Sequence, residues 1–408
     1  MSTGIFVTSN FTTDLAKKSF AGMITRLMPN GNAPLFGLTS MLETETAVQF
    51  EHGFFTKTML FPQLTLNGAI GDGTTNVFTV TTTANVLPGM VMRVNSTGEN
   101  VIIDAVINAT QVRVTRGVGS VSAAAIADTV DLYQVGSAFE EASTRPNANN
   151  IIPVRITNYT QIFRNTWAVS DSVRTTLMIA GDTNVAESKQ DCAAFHASDI
   201  EKALFFGQKY SGTRNGQPFH TMDGYYQLVS DPTYYPSIYG GVANVNAAGA
   251  TTNFTQLEGF LDPCFNQTTD PKGANERILF VGGTALRVLN AIGRLNGTYH
   301  LVDGQTSWGL QFSTFKVSRG TFRVIEHPLL NTNSTWAKMA FAIDLATFRL
   351  AYLGDRKTQY KGFNEDGMEA NDNGIDAVGG TLTTECTAVI KNPPANAIIT
   401  NLTAGAAG

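Results

Sequence analysis

The sequence predicts a mixed α+β fold, rich in short strands and poor in helices. Three observations carry this expectation. From about residue 63 to about residue 136, short alternating runs recur roughly every ten residues between turn residues, with almost no helical pattern. A single stretch, from Asp182 to Gly207, carries a helical period long enough for a structural spine. The last third holds one strand–turn–helix unit set among further strand runs.

The chain has 408 residues, enough for two or three domains around a sizeable core. Hydrophobic residues make up 43%, an ordinary share, whereas charged residues make up only 15%, and Thr, Asn, Ala and Gly take their place. Such a skin suits a protein whose exterior mostly becomes interface. The net charge of −5 is spread without blocks, so no basic stripe exists to hold a phosphate backbone. No apolar run is long enough to span a membrane. The three cysteines, Cys192, Cys264 and Cys386, are far apart, form no CxxC pair and are odd in number, which argues against a disulfide framework.

The elements follow in order. Thr13 caps a first turn, Asp14 sits at its positive end, and Ala16, Phe20, Met23, Ile24 and Leu27 share one face of an amphipathic helix. Pro29 and Asn30-Gly31 stop it, and Pro34, Leu35, Phe36 and Leu38 add apolar surface with no partner nearby in sequence. Lys17 and Lys18 inside the segment exclude a signal peptide. The face either docks on the chain's own core or buries itself on a neighbouring subunit. Strands are expected at Val77–Val80, Met90–Val94, Val101–Val106 and Gln111–Val114, forming a small β-barrel or sandwich inserted in the chain. Its flanks, "ETETAVQFEHGFFTKTMLFP" and "VGSAFEEASTRPNANNIIPVRITNYTQIFRNTWAVS", look like two sides of one hairpin with the insert at its tip.

The long helix follows, with Ala193, Ala197, Ile200 and Leu204 recurring at spacings of four, three and four. Residues 208 to about 255 read as loop, and "TQLEGFLDPCF" as a short helix. "ERILFVGGTALRVLNAIGRLNG" is a strand, a tight turn and a helix. Trp308–Val317 and Thr321–Glu326 form a hairpin closed at Arg319-Gly320, "KMAFAIDLATFRLAYLG" supplies two more strands, and a final strand ends at Pro393-Pro394.

No catalytic constellation stands out. The five histidines, His52, His196, His220, His300 and His327, show no metal-ligand spacing and are read as packed or solvated. No nucleophile elbow or phosphate-binding loop is present, and nothing calls for a cofactor or a metal. Glu140, Glu141 and Arg145 lie on the returning flank. The two carboxylates are solvated charges, an acid–base pair, or one half of inter-subunit ion pairs with Arg155 and Arg164 as partners.

Four phrases, in order, resemble one family. "TDLAKKSFAGMITRLMPNGNAPLFGLTSML" resembles the N-terminal arm of tailed-phage major capsid proteins. "NYTQIFRNTWAVSDSV" looks like the strand after their extended loop, "DIEKALFFG" like the end of their spine helix, and "TTECTAVIKNPPANAIITNL" like their terminal strand. The resemblance implies the Hong Kong 97-type capsid fold, here with an all-β inserted domain. Its parts would be an N-terminal arm (1–44), an extended loop (45–158) carrying the insert at about 63–136, and a peripheral domain (159–215) with a spine helix at 184–206. An axial domain (216–320) and strands completing both domains (321–408) would follow.

It further implies self-assembly, as hexamers and pentamers, into an icosahedral shell enclosing double-stranded DNA without sequence-specific binding. The shell would form in the host bacterial cytoplasm and become the virion. Portal and decoration proteins would be partners, and so would a separate scaffold, since no scaffolding segment precedes the arm. The covalent Lys–Asn cross-link of the type member is not carried over, because its Lys, Asn and assisting Glu are not matched to positions here. Two other classes stay open on the residues alone: a phage tail, fibre or adhesin protein with a β-rich binding domain, and a glycan hydrolase using Glu140 and Glu141.

Overall fold

The computed structural model describes residues 33–57, 62–148, 153–176, 184–234, 243–266, 275–295, 302–307, 310–364 and 376–405. They fall into two compact units. One comprises the described parts of Met1–His52, Thr157–Ser230 and Asn244–Gly408, and the other those of Gly53–Ile156 and Asp231–Ala243. The amphipathic helix expected at 13–27, with Ala16, Phe20, Met23, Ile24 and Leu27, lies outside the described residues, as does His300.

The second unit is built on six strands: Gln63–Thr65, Val77–Thr79, Met90–Val94, Asn100–Asn108, Gln111–Thr115 and Asp131–Ser137. They are ordered first, sixth, third, fourth, fifth, second. A bridge from Leu66 to Val80 joins the two edges, with Asn67 N–H donating to Thr79 O and Thr81 N–H to Thr65 O, both at 2.9 Å. The sheet therefore closes into a barrel and leaves no open edge. Alternation supplies its core, because Phe78, Met90, Met92, Val94, Val101, Ile103, Val112 and Val114 all point inward. Glu51–Thr56 and Val154–Tyr159, the strands through which the chain enters and leaves, pair as a two-stranded ribbon. The second flank does not continue in that hairpin. Beyond Tyr159 the chain joins another sheet, where Gln161–Ser170 pairs antiparallel with Ala377–Ile390, Gln161 opposite Cys386 and Ser170 opposite Ala377.

The described part of the first unit holds two large sheets. The five-stranded one runs Glu45–Ala47, Phe348–Leu353, Ala377–Ile390, Gln161–Ser170, with Gln359–Phe363 also on the long strand. The seven-stranded one runs Val245–Ala247, Ala397–Thr400, Ala340–Ile343, Glu276–Val281, Thr321–Glu326, Leu310–Lys316, Val302–Ser307. The strand–turn–helix reading holds: Glu276–Val281 turns at Gly282 into the helix Gly283–Leu295, whose Val288, Leu289 and Ile292 join the core of this sheet. Gly282 is required there, because a Cβ would sit 2.5 Å from the backbone of Ala337. The hairpin Leu310–Lys316/Thr321–Glu326 also forms, and Val317 N–H donates to Gly320 O across its turn.

Two expectations change. Residues 208–255 are not simply loop. Tyr210–Arg214 and Gln217–Thr221 make a hairpin around Asn215-Gly216, both at positive φ, and Tyr225–Ser230 is a helix. The Asn-Gly pair between two short polar strands was the signal. The apolar patch after Pro29 does have a partner. Pro34–Ser40 is a helix that buries Pro34, Leu35, Leu38 and Thr39.

The long helix is Asn184–Phe206, 23 residues or about 35 Å. Its buried face is Cys192, His196, Ile200, Glu201, Leu204 and Phe205. Ala193 is exposed and Ala197 half-buried, so toward the N-terminus the face lies one residue from the apolar stripe. Two polar partners from distant strands cause this. His196 reaches Asn165 Oδ1 through Nδ1 at 2.8 Å and Thr384 Oγ1 through Nε2 at 2.7 Å. Burial lowers its pKa below the ordinary histidine value, against a smaller opposing pull from Asp199.

Candidate assembly interface

The residues proposed for contact lie at the surface wherever they are described. Glu140, Glu141 and Arg145 are exposed in the segment after the last barrel strand, which has no regular structure. Arg155 is exposed on the ribbon strand Val154–Tyr159. Arg164 is exposed on Gln161–Ser170, opposite Thr383. Ile162, Thr166, Ala168 and Ser170 share its face, while Phe163, Trp167 and Val169 point the other way and are buried. Thr166 and Thr381 join their hydroxyls at 3.0 Å on the exposed face, where Lys361 stands opposite Thr381. The sheet thus presents a polar, weakly cationic surface.

Within the first unit, an aromatic stack joins Phe50, Tyr159 and His220. Phe50 stacks on His220 with ring centroids 4.5 Å apart and planes 9° apart, and Tyr159 tilts against both rings. The Lys209 ammonium lies 4.4 Å above the Tyr159 ring and donates to Thr157 O and Oγ1 at 2.9 and 2.7 Å. Thr160 N–H donates to Phe50 O at 2.7 Å.

The helix Pro34–Ser40 is held by one carboxylate. Glu201 accepts from Leu35 N–H through Oε1 at 2.8 Å and from Phe36 N–H through Oε2 at 2.7 Å. His327 Nε2 lies 2.6 Å from the same Oε1, and the two side chains are 1% and 0% exposed. Spacing could not reveal this pair, because its members lie 126 positions apart.

Farther along, Glu45 joins Lys391 through Oε1 and His52 Nε2, at 3.2 Å, through Oε2. Burial pushes its carboxyl upward, but these partners outweigh burial and hold the pKa below 4.5. The unfolded carboxyl then binds protons more readily than the folded one. The contribution to stability is full above pH 4.5 and is lost as pH falls through the lower folded value. Glu45→Gln is therefore expected to lower stability at pH 7, with the gap to the parent protein narrowing steadily as pH falls below 4.5, as urea unfolding across that range would show.

Among the described residues no group of His, Cys, Asp and Glu is arranged to hold a metal, and no helix is long and apolar enough to cross a membrane. All three cysteines are buried, and burial pushes the Cys264 and Cys386 thiols up to about 12.

Comparison with known proteins gives these findings. A family model described as SU10 major capsid protein matches residues 7–403. A protein of Pseudomonas phage PaMx41 described as a major capsid protein is 37% identical over 411 residues, covering 98% of this chain and 96% of that protein. Among solved structures, a chain from Microbacterium phage Oxtober96 superimposes with a TM-score of 0.47 at 10% identity, covering 96% of this chain and 98% of that one. The capsid of a native GTA particle gives a TM-score of 0.47 at 10% identity, covering 98% and 99%.

Proposed function

The chain belongs to the SU10 major capsid protein family and is a phage major capsid protein, from which we infer that it assembles by lending its arm and extended loop to neighbouring copies. Its copies form hexamers and pentamers that close an icosahedral shell around double-stranded DNA. Scaffolding, portal and decoration proteins join it in the host cytoplasm. The Hong Kong 97-type parts follow the chain: arm 1–44, extended loop 45–158, peripheral domain 159–215, axial domain 216–320, and completing strands 321–408. The insert at about 63–136 rides on the loop. DNA is enclosed rather than read, in keeping with a net charge of −5.

The observation that carries this reading is the two-stranded ribbon Glu51–Thr56/Val154–Tyr159, a pair too small to be stable by itself. Phe55 on it is 70% exposed, and Val48, just before it, is 97% exposed. A neighbour completes it. Glu140, Glu141 and Arg145 on one copy, with Arg155 and Arg164 on the next, set register more than strength. A fibre or a glycan hydrolase has no counterpart in the family matched.

Electron microscopy of the protein, expressed alone and with its scaffolding partner, tests the proposal. Uniform hollow shells are expected, while rods or small particles in both preparations would refute it. The arm has its own test. Ile24→Asp is expected to leave a folded monomer and to abolish particles, because each contact loses about 2 kcal/mol of apolar burial and the loss recurs in every copy. Normal particles from that variant would show that the face of Ala16, Phe20, Met23, Ile24 and Leu27 is not an arm contact.

A further inference from the structure

We propose that Glu201 anchors the amino-terminal arm: its buried carboxylate, oriented by His327, clasps the first free amides of the Pro34–Ser40 helix and so fixes the point from which the arm departs. The proposal rests on the arm reading above.

The first turn of a helix leaves backbone N–H groups without partners. Here Pro34 has no N–H to satisfy, and Ala33 at the cap position has no side chain to offer. Leu35 and Phe36 are the next donors, and Glu201 takes one on each oxygen. The cap thus comes from a residue 166 positions away from Leu35. A helix of 7 residues is far below the length that holds itself together in water. Its place depends on this clasp and on the burial of Leu35 and Leu38.

His327 sets the carboxylate. Leu329 N–H donates to its Nδ1 at 3.1 Å, so that nitrogen is the acceptor and Nε2 carries the proton given to Glu201. Phe205 and Phe280 meet the imidazole edge to face at 4.8 and 5.5 Å, which keeps water from competing. Glu201 Oε1 therefore holds two donors and Oε2 one, and they come from two segments, Leu35-Phe36 and His327, each more than a hundred positions from Glu201. Among the described residues, this carboxylate is the side-chain cap of the helix's first turn.

Hydrogen exchange of the full-length protein, read by mass spectrometry at Leu35 and Phe36, tests the clasp. Glu201→Gln turns one acceptor into an NH2 group that faces another donor. These amides are then expected to exchange at least about tenfold faster, while those of Glu276–Val281 keep their protection. Unchanged exchange at Leu35 and Phe36 overturns the proposal. A second pair of variants does not touch the carboxylate. His327→Gln can still place an N–H where Nε2 stood, whereas His327→Asn is too short. Protection is expected to survive in the first and fall in the second, and equal behaviour of the two would refute the clasp. Assembly is scored separately. Lost protection together with particles of normal yield and diameter leaves the clasp standing and overturns the arm reading instead.

Discussion

Glu99→Ala is expected to cost the barrel about 3–5 kcal/mol, close to the whole stability of a small domain. Glu99 is fully buried and takes a bidentate grip from Arg116, Nε to Oε1 at 3.0 Å and Nη2 to Oε2 at 2.6 Å. Gly117 N–H adds a third donor at 3.0 Å. Burial alone would raise the carboxyl pKa, but Arg116 and Gly117 outweigh burial and lower it. Arg116 in turn ties down two loops, donating to Asp72 O at 2.7 Å and to Ala124 O at 2.5 Å, and its guanidinium lies 5.4 Å from the Phe78 ring centroid. Removing the carboxylate leaves a guanidinium, with 5% of its side chain exposed, holding a charge without its counter-ion. Hydrogen exchange and limited proteolysis of residues 63–137 in the full-length protein should show the barrel opening. The double variant Glu99→Leu/Arg116→Met should recover part of the loss, because no charge then stays stranded. Equal protection in Glu99→Ala and the parent protein would mean that the pair is ornamental.

Gly224→Ala is the second large effect expected, about 3 kcal/mol. A Cβ there would stand 2.6 Å from Ala203 O, 2.6 Å from Gly207 N and 2.9 Å from Phe205 C. All three are backbone atoms at the end of the long helix, so no side chain can swing away. The close approach is held by Gly224 N–H donating to Gly207 O and Gly207 N–H to Ala203 O, each at 2.9 Å. Thermal unfolding should show a clear fall in Tm. Gly259→Ala provides the control. It lies within the helix Phe254–Leu261 with nothing near its Cβ, so it should be neutral or gain up to about 1 kcal/mol. A similar Tm for both variants would show that the contact at Gly224 is not tight.

Much of the fold could be read from local pattern. Met90–Val94 and Asn184–Phe206 form where period and stop signals placed them, because alternation and capping act over a few residues. The same local rules missed the hairpin Tyr210–Thr221, although Asn215-Gly216 marked it, because its strands are largely polar and exposed. Candidate contact residues such as Arg164 and Glu140 could be named from charge and position, and both are exposed. Glu201, His327 and Lys209 could not be, since each acquires its role from partners brought in by other elements.

The amino-acid order by itself determined most of the strands (though not the Tyr210–Thr221 hairpin), where the spine runs, that the stretch near 63–136 is all β, and the family to which the chain belongs. These are short-range quantities, or matters of shared ancestry. Tertiary structure alone decided that six short strands close into a barrel, that Gln161–Ser170 leaves its flank for Ala377–Ile390, and that His196 rather than Ala197 faces inward. The reason is the satisfaction of buried polar groups. A histidine or a glutamate can enter a core only when its donors and acceptors are met, and here some of the partners, Thr384 for His196 and His327 for Glu201, lie more than a hundred positions away.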